Sequence, residues 1–307
     1  MSDVVRGFFG TSYLSLLISY LLLLTYYLPI PPFGEPGGLT YLHPMDFTNR
    51  VVWITGASGG IGEALAYAFA ARGATLVLSA RRAAALDRVK AACTGSPRVL
   101  VVPLDVAEHA ALPGAAEAVE RQLGRVDILV NNAGISQRGR VKDTRLSVDE
   151  RIMAVNYLGA VALTKAVLPG MLARGAGHFV VISSVVGKFS SPLRSSYAAS
   201  KHALHGFFDA LRAEEHEQGI GVTIVCPGRI RTDISKNALA ADGSTYGKMD
   251  EGQAQGIAPA VLAEKILQAV ARNKAELYVG GKELLPIYFQ RYVPWFWRWL
   301  VRRVKVV

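Results

Sequence analysis

The chain is poor in cysteine, with only Cys93 and Cys226 among 307 residues. The two lie far apart and show no metal-ligand spacing, so neither a disulfide framework nor a zinc module organises the fold. No N-x-Ser/Thr glycosylation acceptor occurs either. Both absences agree with a folded domain facing a reducing compartment. Zinc-finger and RNA-binding signatures are missing, and the basic residues are scattered apart from the last ten positions, which argues against a nucleic-acid partner. The six histidines show no ligand spacing, so no metal is expected. Negative charge is scarce: 24 acidic residues face 34 basic ones, leaving +10. That excess points to a phosphorylated cofactor or an anionic membrane surface.

A more local lack marks the N-terminus, where no charged residue occurs from Phe8 to Leu28. About 20 apolar-dominated positions are what a helix needs to cross a bilayer. Aromatic pairs, Phe8-Phe9 and Tyr26-Tyr27, stand at the two ends as interfacial belts do. A cleaved signal peptide has a shorter apolar region followed by a small-x-small site, but PIPPFGEPGG follows here. Residues 1–28 therefore read as a membrane anchor and 29–48 as a proline/glycine-rich linker. The last stretch, 286–307, reads as a basic amphipathic tail. On a helix after Pro294, Arg298, Arg302 and Lys305 form one stripe, roughly opposite Phe296, Trp297, Leu300, Val301 and Val304. Such a helix suits a membrane interface, or docking on its own domain or a second subunit.

Between these ends, residues 49–285 alternate short apolar runs with helix-length segments, which predicts an α/β domain with a parallel sheet covered on both faces. The first run, NRVVWITG, breaks into glycines and enters an amphipathic helix. The pattern Thr55-Gly56-x-x-x-Gly60-x-Gly62 makes a tight turn, lets backbone N–H groups approach a pyrophosphate, and packs helix on strand. The next run, TLVLSA, ends in Arg81-Arg82. An NAD-specific site would carry an acid there for the ribose 2′-OH. Two guanidinium groups instead favour a 2′-phosphate, hence NADP(H), with Ser58 in the turn as a further contact. Asp105 and Asn131 fall at the C-terminal ends of the next two runs, where such sheets bind ligands.

Downstream, Tyr197 and Lys201 are spaced to share one face of a helix. A phenol begins near pKa ~10, and each unit of depression needs ~1.4 kcal/mol. An ammonium ~4–5 Å away supplies about 1 kcal/mol in water but roughly 3–4 at an effective dielectric near 20. The pair is thus useful for proton transfer only in a sheltered pocket. Ser183 and Ser184 close the preceding apolar run, and strand alternation points them to opposite faces. The segment Arg229 to Gly256 is a long polar connection of the kind that forms lids, and Cys226 reads as a buried thiol.

TGASGGIG (55–62), NNAG (131–134), Asn156 in MAVNYLG, Ser184, Tyr197-x-x-x-Lys201 and Pro227-Gly228 followed by Thr232 occur in one order. Together they resemble the short-chain dehydrogenase/reductase family. The stretches SQRG, ASKHAL, CPGRIRT and ADGSTYGKMD are similar to its membrane-anchored branch, which includes 11β-hydroxysteroid dehydrogenase. The resemblance implies a Rossmann-type doubly wound parallel sheet of seven strands and a catalytic tetrad of Asn156, Ser184, Tyr197 and Lys201. Tyr197 would be the general acid/base. Lys201 would bond the nicotinamide ribose and lower the phenol pKa. Ser184 would donate to the developing alkoxide, and Asn156 would hold a water linking Lys201 to solvent. Cofactor contacts would extend to Ile61, Asp105, Val106, Asn132, Ala133, Gly134, Pro227, Gly228, Ile230 and Thr232. It further implies a homodimer or homotetramer. The expected reaction interconverts a ketone and a secondary alcohol on a lipophilic substrate, either steroid- or retinoid-like or of the acyl-dihydroxyacetone-phosphate type. A catalytically idle NADPH-binding membrane scaffold is the alternative.

Overall fold

The chain is described by a computed structural model over residues 45–303. The anchor read at 1–28, most of the linker at 29–48, and Val304 and Lys305 of the tail lie outside the described residues.

Seven short apolar runs become strands because β-branched and aliphatic residues suit a pleated surface buried on both sides. In chain order the elements begin with β1 (Val51–Thr55), α1 (Gly60–Ala70), β2 (Thr75–Ser79), α2 (Ala83–Ala92), β3 (Val99–Val101), α3 (Leu112–Leu123) and β4 (Ile128–Asn131). A two-residue strand follows, β5 (Gln137–Arg138), then α4 (Leu146–Met153) and α5 (Gly159–Arg174), joined by a π turn over Ala154–Leu158. Next come β6 (Gly177–Ile182), α6 (Ser195–Glu215), β7 (Ile220–Pro227), the short β8 (Leu239–Ala240) and α7 (Glu251–Ala254). The described part closes with α8 (Pro259–Ala271), β9 (Glu276–Val279), α9 (Leu285–Tyr292) and α10 (Pro294–Leu300).

The main sheet is wholly parallel, in the order β3-β2-β1-β4-β6-β7-β9. The order reverses direction between β1 and β4, which opens a crevice at their C-terminal ends. Alternation sorts the side chains into two cores. Val52, Ile54, Leu76 and Leu78 face α1 and α8, while Val51, Trp53, Val77 and Phe179 face α3, α5 and α6. This is the doubly wound architecture expected from the alternating pattern.

The domain starts earlier than position 49. Phe47 is 5% exposed and meets Phe69 edge-on at 5.1 Å, and the Met45 amide donates to Ala271 O at 2.9 Å. Among the described residues, one helical run is long and apolar enough to cross a bilayer, Leu146–Arg174. It is the α4–α5 run, whose Leu163, Val167 and Met171 are fully buried in the core, so it serves the domain interior.

Candidate active site

The C-terminal ends of β1, β2, β4, β6 and β7 open on one continuous cleft of about 2070 Å³. Single small-molecule pockets span roughly 300–1,000 Å³. The cleft has room for a dinucleotide and a second molecule.

One part of it is the glycine turn. Gly56 and Gly60 adopt φ of +65° and +58°, the left-handed region that glycine enters without strain. At Gly62 a Cβ would overlap the Gly56 carbonyl and the Asn132 side chain, so only glycine lets α1 lie this close to the turn. Thr55 and Asn132 shape this turn from inside. The Thr55 hydroxyl donates to Val130 O at 3.1 Å and accepts from the amides of Asn132 and Ala133 at 3.0 and 3.1 Å. The Asn132 side-chain Nδ2 donates to Thr55 O at 2.9 Å. Asn131 points into the core and bonds Thr164 at 2.9 Å. What the NNAG loop and the turn offer a ligand is therefore chiefly backbone; these three side chains hold that backbone in place.

Arg81 and Arg82 follow β2 after Ala80, both exposed and both lining the cleft. Ser58 and Ile61 line it as well, as does Arg88, which sequence reasoning missed. Arg88 pairs with Glu63 through two bonds of 2.7 and 2.9 Å and donates to Ser58 O at 3.3 Å. Asp105 lies at the cleft margin with Val106. Burial raises its carboxyl pKa, but the Ala107 amide and the Arg151 guanidinium, 3.0 Å away, outweigh that and hold it below the usual range.

At the reactive end, Ser184 caps a 3₁₀ turn over Val185–Gly187, accepting from the Val186 amide at 3.4 Å. Its neighbour Ser183 turns the other way and contacts Lys201 O at 3.2 Å and the His205 ring at 3.0 Å. Tyr197 stands on the first turn of α6, half-buried in the cleft wall. The Lys201 ammonium lies 5.7 Å from the Tyr197 ring centre and donates to Ile182 O at 2.7 Å. Burial pulls the Lys201 pKa down to about 8.

The chain's own groups do not by themselves depress the phenol. Burial pushes the Tyr197 pKa up; a hydrogen bond with Ser184 and the charges of Arg194 and Arg138 pull it only part of the way back. Desolvation of the phenolate outweighs every charge the chain itself supplies there. Lys201, itself desolvated and bonded to a carbonyl, does not reverse the sign.

Asn156 sits in the π turn, a distortion frequent at functional sites. Its carbonyl accepts from the Ile135 amide at 2.8 Å, and its NH₂ donates to Ile135 O at 2.9 Å and Ser200 at 3.0 Å. Both donors are thus engaged within the protein. Gly134 passes between the two site residues: a Cβ there would lie 3.3 Å from Asn156 Oδ1 and 3.7 Å from Lys201 Nζ.

Pro227, Gly228, Ile230 and Thr232 line the opposite wall. The polar connection after β7 is pinned by its own contacts. β8 pairs with β5, and Asp250 accepts from Arg138 and Arg194, both side chains sequence reasoning left unassigned. The tail also departs from the simple amphipathic drawing. It forms two short helices, and Trp297 inserts against Val185, Val186, Phe189 and Ala198, meeting Phe189 edge-on at 5.2 Å. Phe289, Trp297, Leu300 and Val301 thereby wall the cleft. Docking on its own domain accounts for this face, since an apolar stripe seeks the nearest apolar surface. Cys226 is fully buried, as expected.

A sequence profile described as short chain dehydrogenase matches residues 50–243. A dehydrogenase/reductase SDR family protein 7-like of Drosophila melanogaster is 46% identical over 84% of this chain and 82% of that protein. Dehydrogenase/reductase SDR family member 7B of Bos taurus shows the same identity and coverage. Among solved structures, a short-chain dehydrogenase from Streptomyces avermitilis is 32% identical with a TM-score of 0.71, over 84% of this chain and 100% of that one. An alcohol dehydrogenase from Thermococcus sibiricus, complexed with 5-hydroxy-NADP, is 27% identical with a TM-score of 0.66, over 76% and 97%. Fold, glycine turn and similarity agree: the chain belongs to the short-chain dehydrogenase/reductase family of oxidoreductases, whose fold binds a nicotinamide cofactor.

Proposed function

We propose that the chain is a membrane-associated, NADP(H)-dependent oxidoreductase that interconverts a ketone and a secondary alcohol on a lipophilic substrate. One observation carries this reading. Ser184, Tyr197 and Lys201 line one cleft with the glycine turn, the Lys201 ammonium lying 5.7 Å from the Tyr197 ring centre. Bound NADPH supplies the hydride. Tyr197, kept protonated at neutral pH by burial, gives its proton to the carbonyl oxygen as a general acid. Ser184 donates a hydrogen bond to the same oxygen as charge develops. Lys201 would hold the nicotinamide ribose of the bound cofactor. Asn156 acts as a positioning residue, fixing the loop after NNAG to α6 through Ile135 and Ser200.

Preference for NADP(H) is supported by Arg81 and Arg82 at the end of β2, where the chain carries no acid. Oxidation of NADPH and of NADH over a panel of long-chain ketones tests both claims at once. Wild type is expected to favour NADPH at least tenfold, since each charge-assisted bond to a phosphate contributes about 1.5–3 kcal/mol. Arg81→Ala with Arg82→Ala is expected to erase that preference. Equal use of both nucleotides by wild type contradicts the assignment.

Membrane association is supported by the N-terminal apolar stretch and by the outer side of the tail. Trp295, Trp299, Tyr288 and Tyr292 are exposed there, beside Arg298, Arg302 and Arg303. Aromatic and basic residues together suit an anionic bilayer surface. A chain lacking residues 1–43 is expected to sediment with vesicles containing phosphatidylserine, and less so with Trp295→Ser and Trp299→Ser. Equal sedimentation of both would remove the tail from the account.

A further inference from the structure

Ser183 turns away from Ser184 towards a cluster that the redox step does not use. Three side chains of metal-ligating type converge there: His205 on α6, Cys226 near the end of β7 and Glu276 at the start of β9. One ligand atom from each lies within 4.8 Å of the other two, the only such group among the described residues. Cys226 Sγ is 3.6 Å from Glu276 Oε1 and 3.7 Å from His205 Nε2, and His205 Nδ1 is 3.4 Å from the same Oε1. A tetrahedral Zn²⁺ with ordinary bond lengths sets sulfur, nitrogen and oxygen ligands about 3.4–3.6 Å apart. Spacing along the chain hides this set, because the three residues meet only when a helix and two strands pack.

The hydrogen bonds around the imidazole point the same way. Ser183 Oγ lies 3.2 Å from Lys201 O and 3.0 Å from His205 Nε2. Its one hydrogen serves the carbonyl, so the network assigns the donor role to Nε2–H and leaves a lone pair on Nδ1. That Nδ1 is buried, has no hydrogen-bond partner among the described residues, and faces the Glu276 carboxylate. Two buried acceptors face to face are unfavourable without a cation or proton between them. A histidine whose second ring nitrogen donates to a fixed acceptor is also the usual state of a metal ligand. Glu276 forms the solvent side of the cluster, with its side chain 29% exposed. Tyr278 donates to its Oε2 at 2.7 Å, and Lys188 Nζ lies 2.7 Å from Oε1. The Lys188 side chain is 26% exposed and can turn outward to solvent.

We propose that His205 Nδ1, Cys226 Sγ and Glu276 Oε1 bind a divalent transition-metal ion of the zinc class. On binding, the Cys226 thiol releases its proton to solvent and Lys188 gives up its place at Oε1. A thiolate with an imidazole and a carboxylate suits Zn²⁺, whereas Mg²⁺ and Ca²⁺ take oxygen ligands. None of the three residues lines the cleft, so the site is distinct from the reactive end and does not rest on the redox reading. The ion would tie β7 and β9 to α6 one helical turn beyond Lys201, which makes its role structural.

The test titrates the full chain in detergent, stripped with EDTA and desalted, with Co²⁺, whose thiolate charge-transfer absorption reports a metal–sulfur bond. Wild type and Cys93→Ser are expected to show the band, saturating at one ion per chain, and Cys226→Ser to lose it. Glu276→Gln should weaken Kd about tenfold or more, and serves if the Cys226 variant does not fold. Lys188→Met removes the competing ammonium and should tighten Kd about tenfold. Zn²⁺ should displace Co²⁺ and, at about a hundredfold excess over Kd, raise Tm by about 5–10 °C in wild type and not in Cys226→Ser. Wild type without the band overturns the site. So does a band that survives in Cys226→Ser and disappears in Cys93→Ser, or a Kd unchanged in both Glu276→Gln and Lys188→Met.

Discussion

Replacing Tyr197 by phenylalanine should lower kcat for ketone reduction about 10²–10⁴-fold, the usual contribution of a positioned proton donor. The ring stays in place, so packing against the tail and α6 is retained and NADPH binding should change little. Because burial raises the phenol pKa, the proton donor is present throughout the neutral range. Lys201 is different. Its pKa is lowered to about 8, so the ammonium is intact below that value and lost as pH rises through it. Reduction by wild type should accordingly hold steady near pH 7 and decline above about 8. Measuring kcat against pH with a saturating ketone checks both statements. A Tyr197→Phe variant with more than a tenth of wild-type turnover would show that another group delivers the proton.

Asp250→Ala should produce the largest loss of stability among single substitutions at the cleft. It leaves Arg138, whose side chain is 4% exposed, as a buried charge without its carboxylate, with Arg194 nearby. Breaking a buried pair by removing one partner costs about 3–5 kcal/mol. For a domain of this size each kcal/mol moves Tm by roughly 2–4 °C, so a fall of about 10 °C is expected. The connection after β7 should loosen as well, because Asp250 ties it to the loops before α4 and α6. Removing both charges in Asp250→Leu with Arg138→Met should recover part of the loss, since the uncompensated charge disappears with its partner. A single variant that melts within 2 °C of wild type would show the pair to be solvated. Calorimetry decides.

Local signals were legible and long-range pairings were not. The break of NRVVWITG into glycines states its own structure, because turn, strand and helix are adjacent in the chain. Tyr197 and Lys201 are likewise one helical turn apart. Thr55 reads as a ligand contact until its hydroxyl is seen joined to amides 77 and 78 positions away. Arg138, Arg194 and Asp250 are three unrelated charges in the sequence; the ion cluster exists only once β5, α6 and the connection after β7 converge. Amphipathicity showed that the tail has an apolar side, yet no pattern in 286–307 says that Trp297 fills a space beside Phe189. The burial that raises the phenol pKa was illegible for a related reason. Charge pairs can be counted along a helix, whereas desolvation depends on everything folded around it.

Hydride transfer to a carbonyl carbon beside Tyr197 is tested most directly with a labelled cofactor. Detergent-solubilised protein is incubated with an oxo fatty acid and NADPH deuterated at C4 on the transferred face, and the alcohol product is analysed by mass spectrometry. One deuterium on the carbinol carbon of the wild-type product, with Tyr197→Phe forming the same labelled alcohol about 10²–10⁴-fold more slowly, is the predicted result. Alcohol that forms without the label, or no alcohol across the whole ketone panel, contradicts it.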